Sequence, residues 1–318
     1  MYLKIRLHRQ SFCQLSIYEY ALVFNTELHC YGNAHCHFLI YCLIRYKSIV
    51  VQHIKGVSII GINRPETKNA LNVAAAQELI DELDKFENDE NSVVGVLHGF
   101  SGNFCSGYDL TEIAQYNGKN EEILPQFGPL ANRIELSKKP LIAAINGYAL
   151  GVGFELALMC DLRIMENTAV LGFANRKFGI PILCGGTVRL PALIGYSRAM
   201  DLILTGRHIN ANEAFSWGLI NCHTETGNVL GEAVKVAISL VKFPQRTLLA
   251  DRASAHYATF SAKQFKEAIQ FEKDNASHLV FEEGVTGAKK FVTAGIENNR
   301  KFFNDKEETF KELNKDLL

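Results

Sequence analysis

The stretch LIAAINGYALGVGFELALMCD at 141–161 constrains this chain more than any other, because it packs an apolar run, a glycine-rich turn and one buried-looking carboxylate into twenty-one residues. Residues 141–145 follow Pro140 as an unbroken apolar run, the pattern of a strand covered on both faces. Gly147, Gly151 and Gly153 then punctuate a turn, and residues 154–159 continue as a helix that starts near Val152. The first amides of a helix have no intrahelical acceptor and lie at the positive end of its dipole, so they can receive an anion or a polarised carbonyl oxygen. Glu155 sits one turn inside that end. Taken alone it has two readings, an acid that favours the helix dipole or a proton-transfer group, and the rest of the chain must separate them.

With 318 residues, 47% hydrophobic and 21% charged, the chain can bury one large core or two modest ones and has a globular composition. Thirty-three basic residues against thirty-four acidic leave a net charge of −1, which argues against nucleic acid or an anionic membrane as partner and favours a small-molecule substrate. The eight cysteines include no C-x-x-C pair and no metal-ligand spacing. Cys105, Cys160, Cys184 and Cys222 lie among apolar or glycine residues, as reduced thiols of an intracellular protein do, and no metal site is expected.

Residues 1–48 carry Cys13, Cys30, Cys36 and Cys42 without a sustained period and are expected to be a poorly structured extension. The apolar run at 38–44 is far shorter than the roughly 20 residues of a membrane span, so no transmembrane segment is predicted. The first eighteen residues hold Lys4, Arg6 and Arg9 and no acid, a weak likeness to a mitochondrial presequence; the compartment, mitochondrial or cytoplasmic, stays open.

The folded part begins at 49–63, which reads as a hairpin turning at Lys55-Gly56. Asn72 caps an amphipathic helix over 73–86, a strand follows at 93–97, and a glycine- and serine-rich loop at 99–107 leads to Asp109 as the cap of a short helix. After the central stretch come a strand at 161–164, a loop at 175–186, and helices at 187–194, 197–204 and 211–217. Gly206 and Gly218 stand as C-terminal caps, Asn210 as an N-cap, and a last strand is expected at 221–225. From Val229 the pattern is helix after helix, with charged runs at 263–273 and 306–315.

Five pieces in order carry a resemblance: NRPETKNALN at 63–72, NFCSGYDL at 103–110, KPLIAAINGYALGVGFELALMCDLRI at 139–164, FGIPILCGGTVRLPALIG at 178–195 and LTGRHINANEAFSWGLIN at 204–221. Through them residues 49–318 resemble the crotonase, or enoyl-CoA hydratase/isomerase, superfamily of acyl-CoA enzymes. The resemblance implies an α/β fold, a spiral of ββα units over 49–228, with a helical C-terminal region at 229–318 that makes homotrimers or dimers of trimers. It implies a CoA thioester as substrate, no cofactor, and an enolate held by two backbone N–H donors, here those of Tyr108 and Val152; preorganised donors of this kind supply about 3 kcal/mol each. Lys68, Ala70, Ser106 and Gly107 fall on segments that line the CoA pocket.

Glu155 falls on the first catalytic glutamate of the family. The second lies ten residues before the first glycine of the GGT motif, and that position, counted back from Gly185, is Asn175. No Asp or Glu occurs from Asn167 to Met200, and an amide binds water without exchanging protons near neutral pH. Cys184, beside Gly185, reads as a structural thiol. The function implied is therefore hydratase-like, with other crotonase chemistry such as acyl-CoA hydrolysis, or acyl-CoA binding without turnover, as alternatives. A side activity on RNA has little support in a net charge of −1.

Overall fold

The computed structural model describes residues 47–115, 130, 133 and 135–293. The extension expected at 1–48, with its basic start, four cysteines and apolar run, lies outside the described residues except for its last two, and so does the charged run at 306–315.

Strands β1 (Ile49–Ile54) and β2 (Val57–Ile62) form the hairpin read from the sequence. Lys55 and Gly56 turn with φ of 48° and 80°, the left-handed pair that a two-residue hairpin loop requires. Helix α1 (Val73–Asn88) starts where the Asn72 side chain accepts from the Ala75 N–H at 2.9 Å, and it buries Ala75, Ala76, Leu79, Leu83 and Phe86. Then follow β3 (Val94–Gly99), the short helix α2 (Leu110–Ala114) capped by Asp109, β4 (Leu141–Ile145), β5 (Tyr148–Leu150) and α3 (Val152–Met159). Strands β6 (Leu162–Glu166) and β7 (Val170–Gly172) lead through a 3-10 turn at Ala174–Phe178 into α4 (Gly186–Ile194) and α5 (Tyr196–Thr205). Strand β8 (His208–Asn210), α6 (Ala211–Ser216) and β9 (Cys222–Thr224) precede three longer helices, α7 (Val229–Val241), α8 (Gln245–Phe260) and α9 (Phe265–Ala276).

The larger sheet runs β1-β2-β3-β4-β6-β9, parallel throughout except for the β1–β2 hairpin. Its central strands are covered on both faces, which explains the unbroken apolar run at β4. Val57, Ile59, Val94, Val96, Ile142 and Ala144 face α7 through Val229, Ala233, Val234, Ala237 and Ile238. The alternate residues Ile60, Ile62, Leu97, Leu141, Ala143 and Ile145 enter the main core with α1 and α3. The fold is thus mixed α/β with a helical C-terminal region, as expected from the sequence. No helix among the described residues is long and apolar enough to cross a membrane.

A second sheet of three strands, β5-β7-β8, was not read from the sequence. Each of its strands has three residues, too few to display a period of two. This small sheet matters because it sets the entry to α3. Cys105 bridges Ala149 of β5, with Cys105 N donating to Tyr148 O at 2.8 Å and Leu150 N donating to Cys105 O at 2.9 Å. Gly153 in the first turn of α3 lies against that same backbone: a Cβ there would collide with the Cys105 carbonyl and stand 2.7 Å from the Cys105 Cβ.

Gly153→Ala is therefore expected to lower stability by about 3 kcal/mol, since neither backbone segment can withdraw. Gly231→Ala in α7, where an added Cβ meets nothing within 4 Å, serves as the control and should be neutral or slightly stabilising. Urea unfolding of both variants checks the contrast; equal midpoints would show that the contact at Gly153 relaxes freely.

Candidate active site

Glu155 enters the interior on the first turn of α3, a helix whose residues from Val152 to Leu158 are all buried. Its own exposure is 1%, so its charge, when present, has almost no access to bulk water. One carboxylate oxygen, Oε1, accepts from the backbone N–H of Cys184 at 2.7 Å and of Gly186 at 2.9 Å. The other, Oε2, is buried without a hydrogen-bond partner. Burial raises the Glu155 pKa above that of an ordinary glutamate, opposed by the N–H donors of the turn and by the positive charge of Arg189. The carboxylate is thus held by one oxygen, with the other left without a donor.

The turn that holds Glu155 is itself secured. Gly185 takes a left-handed φ of 86°, and a Cβ on Gly186 would stand 3.0 Å from the Glu155 Cγ, so both positions favour glycine. Arg189 Nη1 donates to Cys184 O at 2.7 Å, fixing the far side of the peptide group next to the one that serves Glu155. The Gly185-Gly186 pair is visible in the sequence, whereas the part played by the donors and by Arg189 is not. The donors act through backbone, which leaves no side-chain signature.

Opposite α3 lies the loop 105–109. A Cβ on Gly151 would stand 3.7 Å from the Gly107 Cα, so Val152 and Tyr108 follow directly from two glycines in close approach. Val152 is the first residue of α3, where a helix leaves its amides without intrahelical acceptors. Tyr108 is bridged to Leu71, with Leu71 N donating to Gly107 O at 2.8 Å and Asp109 N donating to Leu71 O at 2.9 Å. The alternation of a strand edge then turns the backbone N–H of Tyr108 away from Leu71. Its side chain crosses to the Glu155 turn, with the hydroxyl 3.4 Å from Cys184 Sγ.

Asn175, the residue in place of a second carboxylate, sits in the 3-10 turn after β7 with an exposure of 8%. Its Nδ2 donates to Ile180 O at 2.9 Å, while Oδ1 is buried with no donor. That oxygen lies 3.8 Å from where a Cβ on Gly151 would be, at the entry to α3. One of the two amide N–H donors is tied to that carbonyl, and the buried Oδ1 remains as an acceptor.

The four residues read as lining a CoA pocket lie together at the edge of the same loop. Ser106 N donates to Lys68 O at 3.1 Å and Ser106 Oγ to Thr67 O at 3.0 Å. Lys68 and Asn69 both have left-handed φ, 54° and 60°, in a turn held by Asn69: Arg64 N donates to Asn69 Oδ1 at 2.7 Å, and Asn69 Nδ2 donates to Phe100 O at 2.8 Å. Arg64 also bonds Ala70 O and pairs with Asp109 at 2.9 Å, so Ala70, Gly107 and Tyr108 share one backbone frame. The Lys68 ammonium stands 4.9 Å from the centre of the Tyr148 ring. Arg64, Asn69 and Asp109 were missed in the sequence as parts of this frame, though all three lie in the pieces that carried the resemblance. No cluster of His, Cys, Asp and Glu fit for a metal ion occurs among the described residues. A cavity of about 500 Å³ between α8 and α9, lined by residues such as Ser254, Ala258 and Phe265, includes none of these site residues in its walls.

The chain matches the family described as enoyl-CoA hydratase/isomerase over residues 52–303. It is 32% identical over 253 residues to a probable mitochondrial enoyl-CoA hydratase of Dictyostelium discoideum, covering 79% of this chain and 88% of that one. It is 35% identical over 199 residues to a short-chain-enoyl-CoA hydratase of Clostridium acetobutylicum, covering 61% and 75%. Among solved structures, an enoyl-CoA hydratase subunit of Geobacillus kaustophilus superposes with a TM-score of 0.73 at 33% identity, covering 79% of this chain and 97% of that one. The enoyl-CoA hydratase of Bacillus anthracis does so with 0.71 at 31%, covering 77% and 96%. By the match of the family over most of its length and by these likenesses, the chain belongs to the enoyl-CoA hydratase/isomerase family.

Proposed function

We propose that the protein adds water to the conjugated double bond of an enoyl-CoA thioester, with Glu155 as its one proton-transfer group. The observation that carries this reading is the buried, unpartnered Oε2 of Glu155, at the same helix entry as the unpartnered Oδ1 of Asn175. Two acceptors without donors suit a water that donates one hydrogen to each. The thioester carbonyl lies between the backbone N–H groups of Tyr108 and Val152, and the CoA moiety runs over Lys68, Ala70, Ser106 and Gly107.

Glu155 then takes a proton from the water as its oxygen bonds the β-carbon. The π electrons of the double bond move into the thioester, whose oxygen carries the charge between the two N–H donors. The proton on Glu155 passes to the α-carbon, which returns the carboxylate and completes the addition. Asn175 orients the water without exchanging its own protons. No cofactor enters these steps. Aimed at the carbonyl carbon instead, the same water would hydrolyse the thioester, and Asn175 in place of a carboxylate is the observation that keeps that second reading open.

The exposed apolar side chains of the helical region, Phe265 at 83%, Phe281 at 79% and Val280 at 58%, support assembly into a trimer or a dimer of trimers. A relative named as mitochondrial supports an intracellular location for this protein as well.

Mass spectrometry of products from a panel of enoyl- and acyl-CoA thioesters tests the reaction. A hydroxyacyl-CoA is expected; free acid would establish hydrolysis, and binding without any product would make the protein a carrier. Glu155→Gln should lower turnover by about 10²–10⁴-fold while thioester binding survives, and Asn175→Glu should raise hydration. Full activity in Glu155→Gln would make the residue a cap and end the mechanism. Since Glu155 works as a base and burial raises its pKa, activity should fall as the pH drops through a value above that of an ordinary glutamate, and a rate profile that stays flat down to pH 4.5 speaks against it. In sedimentation at micromolar protein, the full chain and a chain lacking residues 1–48 should both run as trimers or larger; a stable monomer would remove the assembly.

A further inference from the structure

The contact between the Tyr108 hydroxyl and the Cys184 thiol, 3.4 Å long, joins two walls of the site that come from distant parts of the chain. Tyr108 belongs to the loop beside Gly107, and Cys184 to the turn whose N–H groups hold Glu155. Neither group is placed to move a proton near neutral pH, because burial pushes the Cys184 thiol up to about 12 and the Tyr108 phenol higher still. Their effect is therefore steric. The ring is stiff, and its far end meets a residue anchored on both sides of its backbone, Cys184 N to Glu155 Oε1 at 2.7 Å and Cys184 O to Arg189 Nη1 at 2.7 Å. The turn that carries the thiol can therefore withdraw only by breaking the Cys184 N–H bond to Glu155 or the Arg189 bond to Cys184 O.

We propose that the Tyr108–Cys184 contact is the end wall of the acyl pocket and restricts this protein to CoA thioesters of short acyl chains. The inference rests on the reading above, in which the thioester carbonyl sits between the Tyr108 and Val152 amides and the reacting carbons face Glu155. A chain laid along that line starts at the backbone of Tyr108 and heads for the turn that Tyr108's own side chain reaches. Carbons beyond the reacting pair meet the phenol ring and the thiol. Cys184 thereby acquires a role in selection without acting as a nucleophile.

Calorimetric binding of CoA and of butyryl-, octanoyl- and dodecanoyl-CoA tests the wall without depending on turnover. The full chain should bind butyryl-CoA at least about tenfold more tightly than dodecanoyl-CoA. Tyr108→Ala should bring that ratio close to one, Cys184→Ala should reduce it partway, and Cys184→Leu, which adds bulk at the wall, should weaken butyryl-CoA itself. Circular dichroism confirms that each variant is folded; if Tyr108→Ala is not, the two Cys184 variants and the wild-type series decide. Affinity that is independent of chain length, or that grows with it, overturns the wall while leaving the acyl-CoA reading in place. So does a folded Tyr108→Ala with an unchanged ratio. Failure to bind CoA and every thioester overturns the acyl-CoA reading, and the wall with it.

Discussion

The close approach of Cys105 to the first turn of α3 is the contact on which the rest of the site depends. It is made of backbone: two hydrogen bonds join Cys105 to β5, and Gly153 is packed against the Cys105 carbonyl with no room for a side chain. A loop alone could not hold Tyr108 opposite Val152, because loops carry few packing constraints of their own. Here the loop 105–109 is bonded on one side to β5 and on the other to Leu71, so it behaves as a short strand between two neighbours. The strands beside it, β5 and β7, have three residues each and are individually weak, so they hold their place through one another and through the loop.

Glu155 shows the opposite economy, a group left incompletely satisfied. A buried carboxylate is costly unless its lone pairs find donors, and this one has two donors on Oε1 and none on Oε2. The neighbouring helix residues of α3 are apolar, so what an acid at that position serves is the turn opposite, whose Cys184 and Gly186 N–H groups it accepts. The raised pKa follows from the same imbalance. Sites that do work on a substrate commonly carry such unmet demands, at the expense of stability.

The regular parts of this fold were legible because each rests on a local physical rule. Asn72, Asp109 and Asn210 cap helices through the side-chain bonds their identities predict, and Lys55-Gly56 makes the hairpin turn. The parallel strands showed as apolar runs. Boundaries moved by one or two residues, as at β6, which begins at Leu162 and continues to Glu166, past the expected 161–164. The three-residue strands of the second sheet left no trace, since a period cannot show in so short a span. At the site, Glu155 was visible as an acid beside glycines. The groups that decide its behaviour were not: the N–H of Cys184 and Gly186 is common to every residue, and the tie of Asn175 to Ile180 is a property of the folded turn.

Replacing one carboxylate of a pair by an amide changes more than the count of acids. Two carboxylates at one helix entry repel, and one of them is driven toward its protonated form. With Asn175 that repulsion is absent, so the Glu155 pKa is raised by burial and not by a like charge. Arg189, half-buried and in no ion pair among the described residues, feels the charge of ionised Glu155. Each therefore favours the charged form of the other. The amide thus removes a group that could carry a proton and, by the same substitution, leaves the remaining carboxylate more fully ionised. In the proposed hydration such a site keeps one base and gives up the second proton path, so the proton that Glu155 takes from water is the one it returns to the α-carbon.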